Sequence, residues 1–219
     1  MNYQDIISNV RVYGIQESIV ASGYPMLTEP YNHSEFINAC KDVVINCEDS
    51  SHIKRSRKLA DTNVGEGHDN YLNGIVVQFD LKFTVKAWTE AERYHFFDFV
   101  SSMSSMHRLV KMDFDTVFCP YVTENTKNEM KRLLNEYNRN PCKENKLYLL
   151  YNCPVGLQLT ARMTTNYRQL KTIYKQRRTH TLPEWQAFCD WIETLPYSEL
   201  ITYDNSINQH NEKENINYE

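Results

Sequence analysis

Apolar and polar residues alternate with a two-residue period in two stretches of this chain. Val77, Phe79, Leu81, Phe83 and Val85 are interleaved with Gln78, Asp80, Lys82 and Thr84; later, Leu157, Leu159, Ala161 and Met163 are interleaved with Gln158, Thr160, Arg162 and Thr164. Such spacing sends every apolar side chain to one face, so each stretch predicts a strand with one core side and one polar side. A shorter apolar run at 10–13 is a third strand candidate. Elsewhere the repeat is helical. Helices are predicted over 15–21, ending at Ser22-Gly23, and over 34–44, where Phe36, Ile37, Cys40 and Val43 share a face. The stretch 51–60 carries the basic cluster Lys54, Arg55, Arg57 and Lys58, which reads as a solvated helix face or an anion contact, and a further helix is predicted over 123–137, with Thr126 and Glu129 as a capping box. Between them, Glu92, Phe96, Phe99 and Val100 suggest a helix within 89–109, and 146–151 is an apolar segment leading to Pro154.

The second alternating run feeds directly into a helical pattern. Tyr167, Leu170, Ile173 and Tyr174 form one stripe, with Arg168, Lys171, Lys175 and Arg178 on the remaining surface. After the basic end of that helix, Thr181 and Glu184 read as a capping box with Pro183 in the first turn. Trp185, Phe188, Cys189, Ile192 and Leu195 then follow at helical spacing. The C-terminal third is therefore expected to be strand, helix, helix.

Composition narrows the function classes. With 219 residues and 41% hydrophobic content the chain can bury a sizeable core, expected as one domain over 1–203. The segment 204–219 has few apolar residues and no periodicity, so it is expected to be a disordered tail. A net charge of -4 gives no global reason to expect nucleic acid as a partner. No apolar run approaches the ~20 residues of a membrane span, and no basic start precedes an apolar block, so a cytoplasmic protein is expected. The six cysteines lack C-x-x-C spacing and read as reduced thiols. Only six glycines occur, which excludes a glycine-rich phosphate loop, and neither H-E-x-x-H nor G-x-S-x-G is present. A bound nucleotide would need other groups for its phosphates.

The run T-T-N-Y-R-Q-L beginning at Thr164, with the arginines and the E-W helix after it, resembles the C-terminal core of flavin-dependent thymidylate synthases. There a T-x-N-x-R-x-L segment is followed by an arginine and an A-Q-W-E-type helix. Thr164, Asn166, Arg168 and Leu170 fall in register, as does Pro154 upstream. Arg177 matches when counted forward from Asn166 and Arg178 when counted back from Trp185, so one residue is inserted between the anchors. Gly67-His68 and the strand over 75–85 are similar to the family's glycine-histidine turn and following strand. The resemblance implies an α/β (α+β) fold with helices flanking a mixed or antiparallel sheet, assembled as a homotetramer. It implies methyl transfer to C5 of a pyrimidine deoxynucleotide such as dUMP, with FAD as cofactor and methylenetetrahydrofolate and NADPH as co-substrates. The roles it implies are cofactor binding for His68 and Asn166, substrate binding for Arg177, Arg178 and Ser104, and catalysis for Ser105 and Arg108.

The chain also departs from that pattern. Aligned on Arg108, Phe96, Phe97 and Asp98 stand where the family carries arginine-histidine-arginine, and Leu150 stands at a further nucleotide arginine. Phenylalanine supplies neither the charge nor the bidentate donors of a guanidinium, and Asp98 repels an anion. A shifted register would instead bring Arg93 and His95 toward the site. Two functions follow from the resemblance: a synthase-like enzyme, or a divergent relative that has lost the reaction and binds a nucleotide-like ligand or a protein. The asparagine- and tyrosine-rich, glycine-poor composition fits an AT-rich coding sequence, as in a phage.

Overall fold

A computed structural model describes residues 1–62 and 66–202, so Gly65 and the expected tail at 204–219 lie outside the described residues. Four strands, β1 (Ile7–Tyr13), β2 (Val76–Thr84), β3 (Phe97–Ser102) and β4 (Gln158–Asn166), form one antiparallel sheet in the order β1-β2-β4-β3. The two alternating runs are its central pair, in unbroken register from Val76 opposite Asn166 to Thr84 opposite Gln158. Phe79 faces Met163 and Leu81 faces Ala161 on the buried side, while Asp80 faces Arg162 on the polar side, with a 3.2 Å ion pair.

Helices α1 (Ile15–Ala21), α2 (His33–Ile45) and α3 (Ser51–Ala60) connect β1 to β2, and α4 (Val85–Ala91) follows β2. After β3 come α5 (Ser105–Arg108), α6 (Glu124–Arg139) and α7 (Lys143–Asn152); after β4 come α8 (Tyr167–Arg177), α9 (Pro183–Ile192) and α10 (Glu199–Thr202). α9 covers the apolar side of the sheet: Trp191 lies 4.6 Å from Phe79 and Trp185 5.0 Å from Phe83 between ring centroids, with Phe188 packed among them. Offset and edge-on aromatic contacts of this kind add to the burial of their large areas. A second, smaller core joins Met130 and Leu133 of α6 to Leu149 of α7, Leu109, Phe114 and Phe118. Among the described residues no helix is long and apolar enough to cross a membrane, no group of metal-ligating side chains is found, and all six cysteines are free.

The structure corrects several local expectations. The helix expected through Glu92, Phe96, Phe99 and Val100 does not form: α4 ends at Ala91, and Phe97–Ser102 is the edge strand β3 paired with β4. Phe96, Phe97, Phe99 and Val100 form an apolar run too short for its periodicity to assign it to helix or strand. The free edge of β4 and a core slot for Phe97 between Phe79 and Phe188 decide the matter. Val85 starts α4 rather than ending β2, because the Thr84 hydroxyl accepts a hydrogen bond from the Ala87 amide at 3.2 Å. α6 begins earlier than its expected box, with Thr123 as N-cap to the Thr126 amide. The Thr181–Glu184 box does not form; Leu182 is the N-cap residue, and Glu184 is buried, accepting a 2.8 Å hydrogen bond from Thr84. A buried partner outweighs an exposed cap, since a buried carboxylate without a donor is costly. The apolar segment 146–151 is part of α7.

Candidate functional site

Asn166 is both the last residue of β4 and the N-cap of α8. Its backbone stays extended while its side-chain oxygen accepts from the Gln169 amide at 2.8 Å, satisfying one of the helix's free donors. The helix that starts there has two unlike sides. Tyr167, Leu170 and Ile173 are fully buried, whereas Arg168, Lys171, Lys175 and Arg178 recur every three or four residues and line a cleft of about 890 Å³. At about 1.5 Å rise per residue the cationic stripe is about 15 Å long. The opposite walls are the end of α3 at Ala60, Asp61 and Thr62, the turn residues Asp69 and Asn73, His95 and Phe96 before β3, and Ile201 and Thr202 of α10.

Four cations line this space against two carboxylates, Asp61 and Asp69, so the cleft favours anions. Asp69 is buried and shared between Lys171 at 3.1 Å and Arg168 at 3.3 Å, and the Lys171 ammonium also donates to the Ala60 carbonyl at 2.6 Å. These contacts pin the 66–70 turn and α3 to α8. Arg178 pairs with Asp190 and Glu193 at 2.9 and 3.2 Å on the rim. Lys175 is exposed and makes no ion pair among the described residues.

Of the residues singled out by sequence, Asn166 and Arg178 line the cleft. Arg177, one position away, turns to the other side of α8. Its Nη1 donates to Glu90 at 2.9 Å and its Nε to the Tyr94 hydroxyl at 2.7 Å, and its guanidinium lies 5.0 Å from the Trp185 ring centre. Glu90 also accepts from Trp185 Nε1 and from Lys86, and it faces His180 at 3.2 Å. Burial pushes the Glu90 carboxyl up, but the Lys86 hydrogen bond and the charges of Lys86, His180 and Arg177 outweigh it and hold the group below the usual carboxylate range. His68 is exposed on the turn that Gly67 makes with a φ of +78°, and its neighbour Asp69 reaches the cleft instead. Ser104 caps α5, accepting from the His107 amide at 3.4 Å, with Ser105 next to it and Arg108 exposed at the far end of that short helix; none of the three lines the cleft.

Phe97, which falls at the middle of the missing arginine-histidine-arginine triplet, is core, and Asp98 is exposed outside the cleft. His95 lines the cleft, while Arg93 is exposed and does not. Phe96 lines it with a φ of +56°, a left-handed backbone that costs an L residue roughly 1–2 kcal/mol. Sequence reasoning assigned no role to Lys171, Lys175 or Asp69. The three- and four-residue spacing of the cations was the signal that could have found the lysines; nothing local marks Asp69.

No family model matches the chain, and no curated protein matches it in sequence. Among solved structures the fold is shared with the flavin-dependent thymidylate synthase ThyX of Helicobacter pylori complexed with FAD and dUMP. One such structure has a TM-score of 0.59 at 16% identity, covering 90% of this chain and 99% of that one. A second, also with FAD and dUMP, has a TM-score of 0.56 at 16% identity, covering 91% and 97%. Of the mixed or antiparallel sheet with flanking helices expected from the resemblance, the antiparallel form is the one observed, and the shared fold extends over nearly the whole of both chains.

Proposed function

We propose that the cleft along α8 binds a nucleotide, a flavin or pyrimidine nucleotide above all, with its phosphates on the cationic stripe. The observation that carries this reading is the stripe itself: four cations on the one side of α8 that is not core, beginning at the capped Asn166 and opening onto a single cleft. The shared fold supports it, since the similar structures hold FAD and dUMP. FAD fits the donors present. Asn166 can offer its amide nitrogen, Arg168 and Lys175 can offer charge-assisted hydrogen bonds to phosphate oxygens, and the stripe is long enough to follow a pyrophosphate. A bound flavin would supply hydride or electron transfer. Binding without turnover has the stronger support within one chain, because Arg177 is held by Glu90, and Ser104, Ser105 and Arg108 are absent from the cleft lining.

A second reading keeps the synthase reaction at C5 of dUMP, with methylenetetrahydrofolate and NADPH. It is favoured by one observation: Ser104, Ser105 and Arg108 lie beside exposed Phe99, Val100, Met103 and Met106 at the edge of the sheet, as a surface meeting another copy would. In a homotetramer, one chain's α5 would complete another chain's cleft. The visible spectrum of the purified protein, followed by titration with FAD and dUMP under thermal-shift readout, tests both. Nucleotide binding predicts a rise in melting temperature with either ligand. The synthase reading adds a tetramer in solution and NADPH oxidation dependent on folate and dUMP. A colourless protein whose melting temperature responds to neither FAD nor dUMP would remove both.

A further inference from the structure

We propose that Phe96 is a stacking platform that makes the cleft select anions bearing a planar ring over anions without one. This rests on the reading that the cleft binds phosphate-bearing ligands, and it concerns a position where the chain departs from the pattern it resembles.

The residues on either side explain why Phe96 points where it does. Tyr94 is tied to Arg177 through its hydroxyl and to Gln176 at 3.0 Å, and it packs edge-on against Phe97 and Trp185. Phe97 is buried, pairs with Thr165 in the sheet and packs against Phe79 and Phe188. Two anchored aromatics three residues apart leave the chain between them to reverse sharply, and Phe96 makes the reversal at a φ of +56°. Glycine or asparagine is the ordinary occupant of such a backbone. A phenylalanine here gains nothing from burial either, since it is 65% exposed. It is unfavourable in backbone and in solvation, and what it contributes is an exposed aromatic side chain on the wall of a cleft whose other wall is cationic. A neutral ring adds nothing to phosphate recognition. It does add ring recognition, because aromatic stacking tolerates any base or flavin and is worth a substantial fraction of a nucleotide's affinity. His95 beside it lines the same wall with a second planar group.

The test uses the full chain and three probes: FAD and dUMP, which carry rings, and inorganic pyrophosphate, which does not. Phe96→Ala removes the ring. Phe96→Gly removes it and also relieves the left-handed backbone, so its melting temperature should equal or exceed that of the parent and exclude misfolding as the cause of any loss. Both variants should bind FAD and dUMP about tenfold more weakly, and Phe96→Trp should restore binding. Pyrophosphate affinity should stay within twofold throughout. Ring-bearing ligands bound equally well by Phe96→Gly, or pyrophosphate weakened as much as FAD, would overturn the platform, the latter pointing to a change of cleft shape. Pyrophosphate binding without FAD or dUMP binding in the parent also overturns it while leaving the anion site standing. Loss of the underlying reading looks different: no probe binds, or Arg168→Gln with Lys175→Gln leaves pyrophosphate binding intact.

Discussion

Arg177 and Arg178 are adjacent, carry the same charge and belong to the same helix end, yet they serve different regions. Arg177 is 14% exposed and sits among a carboxylate, a phenol and an indole; Arg178 is 41% exposed at the cleft rim, with two solvated acids. Successive residues on an α-helix are about 100° apart, so one step along the chain exchanges the inside of the molecule for its cleft. The inner arginine is committed to the fold, because breaking its contacts would remove one of the three cationic partners, with Lys86 and His180, that surround the buried Glu90. The outer one can exchange partners with an incoming anion. Charge alone therefore does not identify a ligand-binding residue; its existing partners and their burial do.

The contrast breaks first at the buried end. Arg177→Ala should destabilise the chain by about 2 kcal/mol, since it removes a charge-assisted hydrogen bond from a buried carboxylate that keeps Lys86, His180 and Trp185. Chemical denaturation measures this, and a loss below about 1 kcal/mol would mean that Lys86 and His180 suffice. At the cleft end, replacing Arg168 and Lys175 together by glutamine should weaken pyrophosphate or dUMP binding by roughly tenfold or more, increasingly so at low salt, while the ligand-free melting temperature falls by less than in Arg177→Ala, because Asp69 loses Arg168 but keeps Lys171. Calorimetric titration at two ionic strengths gives both numbers.

pH sharpens the comparison further. Glu90 has a depressed carboxyl in the folded chain, so its contribution is present above the unfolded carboxylate range and lost as pH falls through its folded value. Melting temperature should therefore drop on the acid side, and the drop should be shallower in Glu90→Gln, whose own melting temperature near neutrality is lower. Equal acid limbs in parent and variant would mean other carboxylates carry the effect. The smallest change is expected outside the buried cluster. Arg178→Ala should cost under about 1 kcal/mol, as its ion pairs are solvent-screened. Thr181→Ala should cost about 0.3 kcal/mol or less, because no capping bond forms there, against the ~1 kcal/mol of a working N-cap.

Much of the framework was legible in the chain. The period-2 runs are β2 and β4, the turn from strand to helix at Asn166 is a capped helix start, and Trp185, Phe188, Cys189 and Ile192 are buried as their spacing predicted. The edge strand β3 was not, because six residues with two phenylalanines carry too little periodicity to exclude a helix. At the site, Asn166 and Arg178 could be singled out from a motif. Asp69 could not, since its role depends on meeting Lys171 and Arg168 about a hundred residues later in the chain.

Local pattern determined which faces of β2, β4, α8 and α9 would be apolar, because side-chain periodicity is a property of the backbone geometry each segment adopts. It also determined that α8 would carry four cations away from its apolar stripe. Only the tertiary structure decided what those four cations and the neighbouring Arg177 meet: a cleft lined also by α3, α10 and the Phe96 corner for the four, and the buried Glu90 for Arg177. The reason is that an ion's partner and its exposure are set by segments far away in sequence, and a charge has no preferred neighbour until the fold supplies one.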